Sequence, residues 1–118
     1  MNLKNAALSA LAVLAVSGCA ALPLPADKLE HSESSIRGAE EVGANAVPNA
    51  KLHLQLAKDQ TDTAKAMAAR GDKRAVMVLA RADADAELSI HLTREAQMHA
   101  DALKAAEELK ALKSRSTP

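Results

Sequence analysis

From Ala50 to Leu103, small and aliphatic residues recur at alternating intervals of three and four. Ala50, Leu54, Ala57, Thr61, Ala64 and Ala68 form one such stripe. Ala75, Leu79, Ala82, Ala86, Ser89, Thr93, Ala96, Ala100 and Leu103 form another. This interval keeps side chains on one face of an α-helix. Between the stripes stands Arg70-Gly71-Asp72. Glycine suits the left-handed residue after a helix end, and aspartate caps the helix that follows. Two stripes joined by so short a turn predict an antiparallel helical hairpin. Stripes built largely of Ala and Ser let the two helices approach closely. Leu52, Leu56 and Met67 are expected to widen the first stripe.

A shorter helix precedes the hairpin. Leu29, Ser32, Ile36, Ala39 and Gly43 share the same spacing. Asp27 and Glu30 stand where a capping residue and its reciprocal partner belong. Gly43, Asn45 and Pro48 end the helix. The expected spans are 27–44, 48–70 and 73–112, an all-α fold in which a short N-terminal helix joins a long hairpin. Helix one either folds back to make a coiled-coil-like three-helix bundle, the favoured arrangement, or runs nearly end to end with helix two. Residues 114–118 are expected to fray. Lys58 with Asp62 and Arg81 with Asp85 stand four apart, the spacing of weak helix-surface ion pairs.

Composition narrows the function classes. The chain has 118 residues, with 15 Lys+Arg against 15 Asp+Glu and no Phe, Trp or Tyr. A neutral chain has no electrostatic footprint for nucleic acid, and without rings there is nothing to stack a base or cage a cation. Of the 118 residues, 28 are Ala. Large aliphatic groups are sparse, so a partner helix or a second copy is expected to add to stability. No Gly-rich phosphate loop is present. Slim Ala-packed helices rarely leave a pocket for a small-molecule substrate, so no cofactor and no enzyme activity are expected.

The N-terminus reads as an export signal spanning residues 1–18. Lys4 and the α-amine supply positive charge, and Ala6 to Val16 form an apolar run too short to span a bilayer. Val16-Ser17-Gly18-Cys19 follows. It resembles the lipobox of bacterial lipoproteins, which implies acylation of Cys19 and a membrane anchor. Cys19 is the single cysteine, so an intramolecular disulfide is impossible. Ala20 is not the Asp that retains enterobacterial lipoproteins in the inner membrane, so that resemblance implies the periplasmic face of the outer membrane. Residues 19–26, with Pro23 and Pro25, read as an extended tether between lipid and fold.

Ala39-Glu40-Glu41-Val42-Gly43-Ala44, Ala46-Val47-Pro48, Lys51-Leu52, Leu56-Ala57-Lys58, Gly71-Asp72, Ala75, Leu79-Ala80 and Asp83-Ala84-Asp85-Ala86-Glu87-Leu88 come in an order of their own. Across about 27–105 this order resembles the domain-of-unknown-function family numbered 4398. Those are small bacterial envelope proteins, some of which carry or neighbour an OmpA-like peptidoglycan-binding domain. The resemblance implies a helical envelope scaffold or adaptor, with an OmpA-like or cell-wall partner and no catalytic residues. A second comparison is with the short Ala-rich major outer-membrane lipoprotein, which tethers membrane to cell wall through a terminal Lys. This chain ends Ser116-Thr117-Pro118 and has Pro48 and Gly71 within its helical run, which counts against covalent tethering.

Three sets of side chains stand as candidate sites. His91, Glu95 and His99 share one face of helix three, with Glu87 extending the row. Imidazole and carboxylate ligate zinc or copper, but one straight helix cannot enclose an ion, and a solvated polar face is the simpler reading. His31 and His53 read as isolated surface residues. Leu88 and Leu92, with Met98 further round, form a second apolar strip, covered either by helix one or by a partner.

Overall fold

The computed structural model describes Ala21 and residues 23–116. The export signal, Cys19, Ala20 and residues 117–118 lie outside the described residues. Three α-helices, α1 (Ala26–Glu41), α2 (Pro48–Ala69) and α3 (Ala75–Ser116), are joined by a 3-10 turn at Ala44–Ala46 and by a tight turn at 70–74. No strand occurs among the described residues.

Each helix end has a local cause. Pro25, with φ −55° and ψ 120°, is extended immediately before α1, and its carbonyl accepts the first helical bond from Leu29 N–H at 3.1 Å. The helix thus begins one residue earlier than expected. Asp27 sits in its first turn, where a carboxylate faces the positive end of the helix dipole, and makes no capping bond. The α1 helix stops at Glu41 rather than 44, because Gly43 turns into the left-handed region at φ 91°. Ala44–Ala46 then coil tightly enough to bury Ala44. Pro48 occupies the first turn of α2, where its missing N–H costs nothing.

The α2–α3 turn is a Schellman motif. Gly71 N–H donates to Ala68 O at 2.9 Å, Asp72 N–H donates to Met67 O at 3.0 Å, and Gly71 has φ 74°. Asp72 Oδ1 accepts the Arg74 backbone N–H at 2.9 Å and so holds the approach to α3. The turn geometry accounts for Arg70-Gly71-Asp72. From there α3 continues helical to Ser116, four residues past the expected end at 112.

The six buried residues of α2 are Ala50, Leu54, Ala57, Thr61, Ala64 and Ala68, and those of α3 are Ala75, Leu79, Ala82, Ala86, Ser89 and Thr93. They face each other antiparallel, with Ser89 Oγ donating to Ala50 O at 2.8 Å. The α3 stripe is covered only this far, and Ala100 and Leu103 are exposed. Leu52 and Leu56 are exposed too, because side chains this small need only a narrow strip to close the seam.

The α1 helix lies against both others. It runs antiparallel to α2, with Glu33 paired to Lys65 at 2.6 Å and Glu40 to Lys58 at 2.5 Å. It runs parallel to α3, with His31 beside Asp83 and Val42 O accepting from Gln97 Nε2 at 2.9 Å. Ile36, Val47, Ile90 and Leu92 pack on a buried cluster of Ala39, Ala44, Ala50 and Leu54, at the end where the 3-10 turn closes. Leu92 is thus partly covered, while Leu88 stays 40% exposed.

The polar residues in the core are matched. Ser32 Oγ and Thr61 Oγ1 are 3.3 Å apart, Thr61 also donates to Ala57 O, and Thr93 donates to Ser89 O. Hydroxyls bonded in this way avoid the desolvation cost of a bare buried group.

Candidate functional site

Asp83-Ala84-Asp85 distributes its two carboxylates around α3. Residues two apart on a helix point about 200° apart, so Asp83 and Asp85 flank the Ala82/Ala86 seam. Asp83 faces α1 and Asp85 faces α2.

On the α1 side, His31 Nδ1 lies 2.9 Å from Asp83 Oδ1, and Ser35 Oγ donates to the same oxygen at 3.3 Å. Glu87, one turn along α3, completes a group in which one ligand atom each from His31, Asp83 and Glu87 lie within 4.8 Å of one another. The group borders a cleft of about 480 Å³ lined by Asp27, Lys28, His31, Leu79, Ala80 and Asp83. His31 and Glu87 are exposed and Asp83 is half-buried.

On the α2 side, His53 Nδ1 lies 2.7 Å from Asp85 Oδ1, and Gln60 Nε2 donates to Asp85 Oδ2 at 2.7 Å. Both oxygens of Asp85 are thus engaged across the helix interface. The Gln60 Oε1 atom is buried without a hydrogen-bond partner. Neither histidine is isolated, contrary to expectation: each bridges to a carboxylate of α3. The surface ion pairs also differ from those expected. Lys58 reaches across to Glu40 rather than along α2 to Asp62, and Asp85 is held by α2 rather than by Arg81.

His91, Glu95 and His99 are all exposed on α3. They form no clustered ligand set, and the one group of three clustered ligands among the described residues is His31, Asp83 and Glu87. Glu87, expected at the end of the exposed row, belongs to that group. Spacing along one helix is visible in a sequence; the meeting of α1 with α3 depends on their rotation and register. The available signal was the pair of aspartates in an otherwise Ala-rich stretch, since aspartate is a poor residue for a helix interior.

A different surface follows Gln97. From Met98 to Ser116 every residue is exposed, including Met98 (66%), Leu103 (56%), Leu109 (54%) and Leu112 (61%). Met98, Ala102, Ala105, Leu109 and Leu112 are spaced four, three, four and three apart. They form an apolar stripe on a different face from Ala96, Ala100 and Leu103, and no described helix lies against it.

No protein-family model, no curated protein and no solved structure matches the chain. A functional reading therefore rests on these residues.

Proposed function

We propose that this chain is a non-enzymatic bacterial envelope lipoprotein. In this reading acylated Cys19 holds it to the periplasmic face of the outer membrane, and its helices form a coiled-coil-like bundle that acts as a scaffold or adaptor. The observation that carries the proposal is Val16-Ser17-Gly18-Cys19 directly after the Ala6–Val16 apolar run. Two acyl chains on glycerol and one on the amine exceed the two signals that stable anchoring requires. No described helix is long and apolar enough to cross a membrane, so the lipid is the attachment that this reading invokes. The uncovered stripe from Met98 to Leu112 is its contact surface for a partner helix. The resemblance to family 4398 points to an OmpA-like or cell-wall protein as that partner.

Intact mass spectrometry of membrane-fraction protein, beside a Cys19→Ala control, tests the anchor. The expected mature mass begins at Cys19 and includes diacylglycerol and an N-acyl chain. An unacylated mass, or unchanged fractionation of the control, overturns it.

The heptad spacing of the distal stripe favours a second reading, in which copies of the chain associate through it as a structural tether. Sedimentation of full-length protein in detergent separates the two. A concentration-dependent dimer abolished by Leu109→Glu with Leu112→Glu supports self-association; a monomer at all concentrations supports a foreign partner.

A further inference from the structure

We propose that His31, Asp83 and Glu87 form a binding site for a divalent transition-metal ion that clips α1 to α3. The site is independent of the envelope reading. The donors are one imidazole nitrogen and two carboxylate oxygens, a mixed set that suits borderline ions such as zinc, and histidine ligates through Nδ1 as well as Nε2.

The geometry is close to what coordination needs. Two neighbouring ligand atoms on an ion with bond lengths of about 2.1 Å stand roughly 3 Å apart. His31 Nδ1 and Asp83 Oδ1 already stand at 2.9 Å. Glu87 is on the same face of α3, one turn on, and its ligand oxygen is within 4.8 Å of the others. Its exposed side chain closes the remaining gap by a rotamer change, at small cost.

Charge favours a dication. Asp83 and Glu87 place two negative charges on one patch, while Asp27 and Lys28, both lining the adjoining cleft, offset each other. The Ser35 hydroxyl bonded to Asp83 supplies the outer hydrogen bond that orients a ligating carboxylate. Three protein ligands at a solvent-facing cleft leave the remaining positions to water. That pattern differs from the four-ligand closure of a structural zinc site. It resembles an open site, able to exchange its ion or accept an external donor.

The two α3 ligands come from one helix and the third from α1, so an ion here adds a link between the two helices at the His31 end, away from the Ala39 cluster. Binding to the folded state alone raises stability by mass action. The test is zinc titration of tag-free, full-length protein in detergent, by calorimetry and by thermal melting followed with circular dichroism. One ion per chain is expected, with a rise in Tm of about 10 °C at a hundredfold excess over Kd. His31→Ala and Glu87→Gln each weaken binding at least tenfold and remove the shift, with the metal-free helix signal unchanged. His91→Ala with His99→Ala leaves binding within twofold. Glu87→Gln keeps the test valid should His31→Ala perturb α1, because Glu87 is exposed. The proposal is overturned by no saturable zinc binding up to millimolar concentration, by binding indifferent to His31→Ala and Glu87→Gln, or by binding lost in the His91/His99 double variant.

Discussion

Gly43 and Gly71 stand at φ 91° and 74°, where a side chain is strained, whereas Gly38 lies within the regular turns of α1. A methyl group at Gly38 meets only Ile90 Cδ1, at 3.6 Å, an ordinary contact. Gly38→Ala therefore raises stability, by about 0.5–1 kcal/mol, because alanine loses less backbone freedom on folding. Gly71→Ala costs about 1–2 kcal/mol, the penalty of the left-handed region. Urea melts of the two variants should move in opposite directions. Asp72 gives a prediction in acid. The Arg74 side chain and then its backbone N–H hold the Asp72 carboxyl down to about 2 from its usual 3.8. A carboxyl lowered on folding stabilises the folded chain in full above its unfolded value, and that contribution fades as the pH falls from about 4 towards 2. Asp72→Asn should flatten the stability curve over that window and leave its shape above pH 5 unchanged. The role of Gly71 was legible because a short Gly-Asp turn between two stripes has one helical solution. The capping role expected of Asp27 was not, because Pro25 starts the helix first.

At the scale of the helix, the seam was legible almost residue for residue. All twelve buried positions of α2 and α3 lie on the two stripes, because an Ala/Ser surface at three-four spacing has a single face to bury. Less visible was how little else is covered. Leu52 and Leu56 look like core residues by type, yet the seam closes without them. Leu54 and Leu79 are the largest of the fully buried side chains. Leu54→Ala or Leu79→Ala should each cost about 2–5 kcal/mol, read as a lower urea midpoint, whereas Leu52→Ala should fall within about 0.5 kcal/mol of the parent. Ala82→Leu tests the opposite failure. Its Cβ lies in a fully buried seam, and forcing the helices apart costs about 1–3 kcal/mol or more. The bridges His31–Asp83 and His53–Asp85 were hidden for a different reason. Each joins helices whose relative rotation no single stripe specifies, and residues two apart on α3 serve two different neighbours.

For the whole molecule, the unequal lengths of α2 and α3 divide the chain into a packed body and an uncovered arm. Among the described residues nothing packs against the arm, and isolated helices of this length are marginal in water. Backbone amides beyond Gln97 should exchange hydrogen much faster than those at 79–93, a contrast that mass spectrometry of deuterated peptides resolves. Ending the chain after Gln97 should leave the melting temperature of a monomer within a few degrees. Its loss would instead indicate that arms pair in solution. Where the arm points follows from the direction of α1. Because α1 runs parallel to α3, with His31 level with Asp83, Pro25 stands at the opposite end of the molecule to Ser116. The 33 residues from Asp83 to Ser116 rise about 50 Å. A contact at the start of α1 and a contact at Ser116 would therefore be more than about 50 Å apart, a separation set by the number of helical turns between them. Inserting seven residues into the arm should move the tip outward by about 10 Å while returning it to nearly the same angular setting.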